Sequence, residues 1–325
     1  MSKDYHHLTQ DQRWQIFVLK KRGESNAAIA EELKVDASTI SREIMRNKGK
    51  KGYRYKQAHE KSRKRRLEAN QKNKKMTDKL IQLIESKLVL DWSPEQISGW
   101  LKTNTCHTIS HEIIYQHIWS GKQGGGNLFK HLRRSGRKYN KRSTGKAGRG
   151  CIPNRIDIRD RPSIVEKKSR LGDWELDTII GKNHKGIIVT IVERRSKLTK
   201  LVKVPNKTAY CVCNAVISKL TPLKKWVLTL TSDNGKEFSN HSLVALKLEA
   251  GFFFATPYHS WERGLNEHTN GLIRQYIPKE MSFEKITQKD LDVIESLLNN
   301  RPRKVLQYST PNETFNSICL SKTEA

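Results

Sequence analysis

Residues 172–181 read GDWELDTIIG, and the reading of this run decides the fold. Its alternation and β-forming residues predict a strand, and period two places Asp173, Glu175 and Asp177 together on one face with Leu176 on the other. Outward from it, GIIVTIVERRS (186–196) and LTKLVKVP (198–205) are further β-rich runs, and AYCVCNAVISKL (209–220) has helical spacing. WVLTLTSDNG (226–235) reads as strand then turn, HSLVALKLEAG (241–251) as helix, FFFATP (252–257) as strand and SWERGLNEHTNGLIRQY (260–276) as helix. The order βββαβαβα predicts a mixed sheet covered by helices.

Three acids on one strand face repel one another unless something cationic neutralises them. A metal ion would do so, and so would neighbouring Lys or Arg, and periodicity does not say which acid is a ligand. Asp233, in TSDNG, stands where its strand gives way to a turn, which suits either a metal-holding carboxylate or an ordinary Asp-Asn-Gly turn. In 260–276, Arg263, Glu267, Asn270, Gly271 and Arg274 share one helix face, with a single acid between two arginines. That face is either a solvated, ion-paired stripe or the presentation of Glu267 to chemistry. Opening a DNA phosphodiester suits two divalent ions held by a few carboxylates about 3.5–4 Å apart, and Mg²⁺ takes oxygen ligands of that kind. The three-layer plan is that of an RNase H-like nuclease core.

The 325 residues carry 62 Lys+Arg against 33 Asp+Glu, a formal charge of +29, which points to a polyanionic partner. No stretch approaches the ~20 apolar residues of a membrane-spanning helix, and the opening MSKDYHHLTQDQRW lacks the apolar run of a signal peptide, so nucleic acid in the cytoplasm is the expected setting, with no membrane partner. The five cysteines have no paired spacing, so free thiols and no structural zinc are expected.

Residues 9–47 show three apolar blocks at helical spacing, separated by Gly23 and the Lys34-Val35-Asp36 turn. They predict a trihelical helix-turn-helix, with Asp36 as N-cap of the third helix, Ile40 and Ile44 inward, and Ser38, Arg42, Met45 and Arg46 outward, where a major groove would meet them. A similar pattern recurs with Thr108-Ile109-Ser110-His111-Glu112-Ile113 set against Thr39-Ile40-Ser41-Arg42-Glu43-Ile44 and a turn one residue longer. The domain plan is therefore a helix-turn-helix at 1–48, a basic linker at 49–76, a second helix-turn-helix-like module at 77–120, a basic Gly-rich linker at 121–165 and an α/β core at 166–325. The two linkers are dense in charge and expected to order only on DNA.

Taken together, HLTQDQRWQIFVLKKRG with AAIAEELKVDASTISREIMRN, GDWELDTIIG, SDNGKEF, ATPYHSWERGLNEHTNGLIRQYIPK and NNRPRKVLQYSTPNETF resemble the IS30 family of bacterial insertion-sequence transposases over nearly the whole chain. The most specific element is the spacing of 33 residues between Asp233 and Glu267, with Arg274 seven residues further on, which is similar to a DDE motif and its trailing basic residue. The resemblance implies a catalytic, metal-binding triad of Asp177, Asp233 and Glu267 with Mg²⁺ or Mn²⁺, two ions in all. It further implies phosphate contacts by Arg263 and Arg274, support from Asn234 and Asn266, and action as a homo-oligomer on duplex DNA, the element's terminal inverted repeats and a target. The reaction implied is strand cleavage to a free 3′-OH followed by strand transfer, with no covalent protein–DNA intermediate. Family members commonly carry glycine where this chain has Leu176. Asp177 is favoured over Asp173 as first ligand, because Asp173 beside Gly172 is expected to face water. The alternative is a DNA-binding regulator with an inactive core, against which the intact triad speaks.

Overall fold

The computed structural model describes residues 7–72, 76–133, 152–257 and 259–321. They fall into two compact units that divide after Asp78.

The N-terminal unit holds α1 (Gln10–Lys21), α2 (Asn26–Glu32), α3 (Ala37–Asn47) and α4 (Tyr55–Lys72). Each of the first three helices starts where a side chain satisfies an orphan N–H: Thr9 in a capping box with Gln12, Ser25 on Ala28 N, and Asp36 on Ser38 N. Leu8, Ile16, Leu19, Ile29, Ala30 and Ile40 form the core, with Ile44 packed against it. Ser38, Arg42, Met45 and Arg46 are exposed, as the spacing predicts.

The segment 49–76, expected as an unfolded linker, differs: most of it is α4. The helix has almost no apolar stripe of its own, and its order comes from docking. Ala58 is buried, and Tyr55 lies with its ring 5.9 Å from that of Phe17. Ser62 accepts from Arg13 Nη2 at 3.0 Å, and Arg65 donates to the Arg46 carbonyl at 3.1 Å and to Asn47 Oδ1 at 2.5 Å. Arg13 is the hub, since it is buried and pairs with Glu43 through Nε at 2.8 Å and Nη2 at 3.2 Å.

The second unit continues with α5 (Asp78–Val89), α6 (Pro94–Asn104), α7 (His111–Gln123) and α8 (Ile164–Lys167). There follow β1 (Asp173–Ile180), β2 (Ile187–Glu193), β3 (Thr199–Val204), α9 (Ala209–Leu220), β4 (Thr229–Ser232), α10 (His241–Leu248), β5 (Gly251–Phe254) and α11 (Gly264–Tyr276), then α12 (Gln288–Asn299) and α13 (Pro311–Ser321). The sheet order is β3-β2-β1-β4-β5, antiparallel through β1–β2–β3 and parallel through β1–β4–β5, which is the RNase H-like plan. Gly172 enters β1 at φ 110, and a Cβ there would lie 2.7 Å from Leu228, so this turn admits only glycine without strain.

Alternation on β1 feeds two cores. Trp174 and Leu176 join Val212, Val216, Val244 and Leu248 of α9 and α10, whereas Ile179 joins Leu272, Ile273 and Leu291 of α11 and α12. Leu176 thus lies on the face away from Asp177. Both sheet edges are covered. Along β3 the side chains of α12 stand in for a neighbouring strand, with Asn299 bonded to the N–H and C=O of Thr199 at 2.9 and 2.8 Å and Glu295 accepting from Leu201 N at 2.9 Å. At the other edge Phe254 N donates to the Ile156 carbonyl at 2.9 Å. The part of the expected linker 121–165 that includes Ile156 is therefore docked on the sheet, while 134–151 lies outside the described residues.

Helices α5–α7 form a trihelical module within this unit, with Ser93 and Gln96 in a capping box and Pro94 at the first turn. The expected register with the first copy does not hold. Ser110 is the N-cap of α7, so Thr108 and Ile109 precede the helix, whereas Thr39 and Ile40 lie inside α3. Ile114 and Ile118 take the inward positions of Ile40 and Ile44, and Ile109 is buried in the lengthened turn, where its carbonyl accepts from Ser98 Oγ at 2.6 Å. The module packs on the C-terminal segment through Arg301 to Gln96 at 2.9 Å and Lys304 to Glu95 at 2.7 Å. Arg13→Ala would strand Glu43 without its cation, and we expect it to destabilise the N-terminal unit by about 3–5 kcal/mol in urea unfolding of residues 1–78, the range for breaking a buried pair. A loss below about 1 kcal/mol would show that Arg13 is not the hub.

Candidate active site

Strand β1 carries its three acids on one face, the last two of them bonded to α11, and each has its own arginine. Asp173, expected to face water, is instead fully buried: Arg170 reaches it through Nε at 3.1 Å and Nη2 at 3.0 Å, and Thr229 Oγ1 on the adjoining β4 donates at 2.8 Å. Glu175 is equally buried and accepts from Arg194 Nη1 at 2.7 Å and from the backbone N–H of Asn266 at 3.2 Å. Burial pushes its carboxyl above the ordinary range, with Arg194 and the Asn266 N–H pulling the other way. Asp177 faces Arg263, whose Nη1 stands 3.6 Å from its Oδ1.

Asp177 and Asp233 are brought together around that guanidinium. Arg263 Nη2 is 3.5 Å from Asp233 Oδ2, and its Nη1 donates to the Leu176 carbonyl at 3.2 Å. Asp233 directly follows β4, and its Oδ1 accepts from Gly235 N at 2.9 Å, the Asx turn that its sequence suggested. Asp177 Oδ2 accepts from Asn270 Nδ2 at 2.8 Å. Its carboxyl is shifted upward, first by burial; Arg263 lowers it and Asp233 raises it. These two aspartates are more open than Asp173 and Glu175, at 20% and 29% side-chain exposure, so they meet both solvent and a cation.

Glu267 is exposed on α11, four residues beyond Arg263 and three before Asn270. Among the described residues no group of three or more His, Cys, Asp or Glu side chains is gathered closely enough to hold a metal ion, so Glu267 does not close on the two aspartates here. One guanidinium against two carboxylates already leaves a negative balance, and a third carboxylate would add repulsion without a further cation.

The remaining expected residues take more structural places. Arg274 donates to the Ile180 carbonyl at 2.9 Å and lies over the Phe283 ring at 5.2 Å, which braces the end of β1. Asn234 clasps the turn, accepting from Arg155 Nη1 at 2.5 Å and donating to the Ala255 carbonyl at 2.6 Å. Asn266 is buried with neither side-chain atom hydrogen-bonded. The helix-face spacing included Asn270 but assigned it no role; its signal was the three-residue step from Glu267.

The oxygen donors at this end of the sheet are of the type a hard divalent cation takes, although they are not gathered around one point. They are oxygens of Asp177 and Asp233, joined by the buried Asn270 Oδ1, which has no hydrogen-bond partner, and the place already accommodates the positive charge of Arg263.

A family model described as a helix-turn-helix domain matches residues 4–47. The chain is 47% identical to the transposase for insertion sequence element IS4351 of Bacteroides fragilis, over 96% of both chains. It is 36% identical to transposase InsI for insertion sequence element IS30A of Escherichia coli K12, over 94% of this chain and 82% of that one. Among solved structures it is similar to the catalytic core domain of BIV integrase, at 23% identity and a TM-score of 0.37, over 46% of this chain and 97% of that one.

Asp173→Asn removes the charge that two arginine nitrogens and Thr229 share, while Asp177, Asp233 and Arg263 keep their contacts. It should lower unfolding free energy by about 1–3 kcal/mol, as for a buried charged hydrogen-bond partner. Chemical denaturation measures this, and a variant as stable as the parent would exclude it.

Proposed function

The chain belongs to the IS30 family of insertion-sequence transposases, and from that membership we propose which of its residues do the work. The N-terminal unit binds the terminal inverted repeats of the element, and the Asp177–Asp233–Glu267 end of the sheet cuts and joins DNA. The observation that carries the reading is the convergence of two carboxylates from adjacent parallel strands on one cation, beside the helix that presents Glu267.

On DNA, Ser38, Arg42 and Arg46 of α3 face the groove. Arg42 Nε is bonded to the Ser38 carbonyl at 3.0 Å, which pre-orders its guanidinium. Arg63, Lys64, Arg65 and Arg66 of α4 are exposed and add phosphate contacts. At the catalytic end, Mg²⁺ or Mn²⁺ ions bound by Asp177, Asp233 and Glu267 would stabilise charge on the attacking and leaving oxygens. The protein's own part is orientation. Asn270 aims the Asp177 carboxylate, Gly235 N–H aims that of Asp233, and Arg263 balances both and lies where a scissile phosphate would be steadied. Water opens the phosphodiester at the element's end, leaving a 3′-OH and a 5′-phosphate. That 3′-OH then attacks a target phosphodiester and expels the target's 3′-oxygen. Two ends joined to one target call for more than one such site, so the working form is a homo-oligomer on DNA. No described helix is long and apolar enough to cross a membrane.

Asp177→Asn should reduce strand cleavage by at least the ~10²–10³-fold of losing one transition-state stabiliser, with melting temperature and end binding retained. Cutting of an end-containing duplex should also stop in excess EDTA and resume with Mg²⁺. Undiminished cleavage by the variant, or in EDTA, would overturn the assignment.

End binding should be metal-independent and should fall about 10³–10⁵-fold between roughly 50 and 200 mM salt if about 6–10 phosphates are contacted. Arg42→Ala should erode the preference for ends over random DNA more than it weakens binding to random DNA. Filter binding at several salt concentrations measures both; a flat salt response would refute the phosphate contacts.

A further inference from the structure

We propose that Glu175 is a positioning residue that caps the catalytic helix from across the fold and sets where Glu267 stands relative to Asp177. The inference rests on the catalytic reading above.

Helix α11 begins without a cap of its own. Arg263 at its N-cap makes no side-chain cap hydrogen bond, and the first turn holds the orphan N–H groups of any helix start. The acceptor comes from β1, 91 residues earlier in the chain: Glu175 Oε2 takes the Asn266 N–H at 3.2 Å. A buried carboxylate at a helix N-terminus also gains from the helix dipole. Asn266 immediately precedes Glu267, and Glu175 stands two residues before Asp177 with Leu176 between them, so a single hydrogen bond ties the backbone beside one proposed ligand to the strand that carries another. The second tie is Asn270 Nδ2 to Asp177 Oδ2 at 2.8 Å, one turn further along the helix. Together they fix the start of α11 against β1 both along and around the helix axis.

Arg194 makes the burial of Glu175 tolerable. It is itself buried, gives Nη1 to Glu175 at 2.7 Å and is steadied by Glu166 at 3.2 Å through Nη2. Glu175 uses one oxygen for this counter-ion and the other for the helix, which assigns both of its acceptors. Its place on the same strand face as Asp177 therefore marks it as a neighbour of the ligands and not one of them.

The test uses the full chain with Mn²⁺ as the probe, counting free ion by electron paramagnetic resonance in the absence of DNA, and Mg²⁺ titrations of strand cleavage. Asp177→Asn serves as the control for the site itself and should abolish Mn²⁺ binding. Glu175→Leu should weaken Mn²⁺ binding and raise the half-saturating Mg²⁺ by roughly 10–100-fold, the usual effect of removing a partner that orients a metal ligand. Glu175→Gln, which keeps one acceptor oxygen, should fall between Glu175→Leu and the parent, and it carries the test if the leucine variant does not fold. Arg194→Lys keeps the charge and leaves the Glu175–Asn266 bond, so it should lower the melting temperature while holding half-saturating Mg²⁺ within about twofold. A folded Glu175→Leu or Glu175→Gln with parental Mn²⁺ affinity and parental half-saturation would reduce Glu175 to a stability role and overturn the inference alone. A parent chain that binds no Mn²⁺ would overturn the catalytic reading, and the inference with it.

Discussion

Burying carboxylates in a row on one strand is the constraint around which the catalytic unit is built. A charge removed from water costs several kcal/mol unless it is paired and hydrogen-bonded. On β1 this is answered three times, by Arg170 for Asp173, Arg194 for Glu175 and Arg263 for Asp177. The three arginines come from the loop before the strand, the turn after β2 and the segment before α11, so satisfying one strand draws in the chain from three directions. The exposure along the row rises in the same sense: the first two acids are sealed and the third remains open. The strand thus grades from a sealed, structural end to the open end for which chemistry is proposed.

The gradation explains how α11 can be amphipathic and still present the residue proposed for catalysis. Leu272 and Ile273 pack it on the lower sheet core, and its polar residues meet the acids one turn earlier. The same strand that anchors the helix apolarly at Ile179 anchors it by hydrogen bonds at Glu175 and Asp177.

Much of this was legible in the sequence because it is local. Strict alternation announced β1, three apolar blocks at helical spacing with the cap at Asp36 announced the first three helices, and the order βββαβαβα announced the sheet. What was not legible depends on partners far along the chain. Helix α4 has no stripe to betray it, because Arg13 and Ala58 stabilise it through tertiary contacts. The burial of Asp173 depends on Thr229, 56 residues away, and Arg263 shows its pairing only once β1 and β4 are adjacent. The register of α7 against α3 failed because Thr108-Ile109-Ser110 repeats the letters of Thr39-Ile40-Ser41 ahead of a helix that starts only after Ser110. The spacing of Asp233 and Glu267 pointed to the acids proposed as ligands, but not to the bonds that Asn270 makes to Asp177 and Glu175 makes to Asn266.

The docking of α5–α7 onto the C-terminal segment has a consequence in time. Arg301 and Gln96 are 205 residues apart, and Lys304 and Glu95 are 209 apart. The N-terminal unit closes its contacts within the first 78 residues and can fold while most of the chain is still being synthesised. The catalytic unit waits for its last helices, since loops of that length close late and long-range pairing is slow. A chain emerging from the ribosome therefore acquires the fold that recognises DNA well before it acquires the one that breaks it.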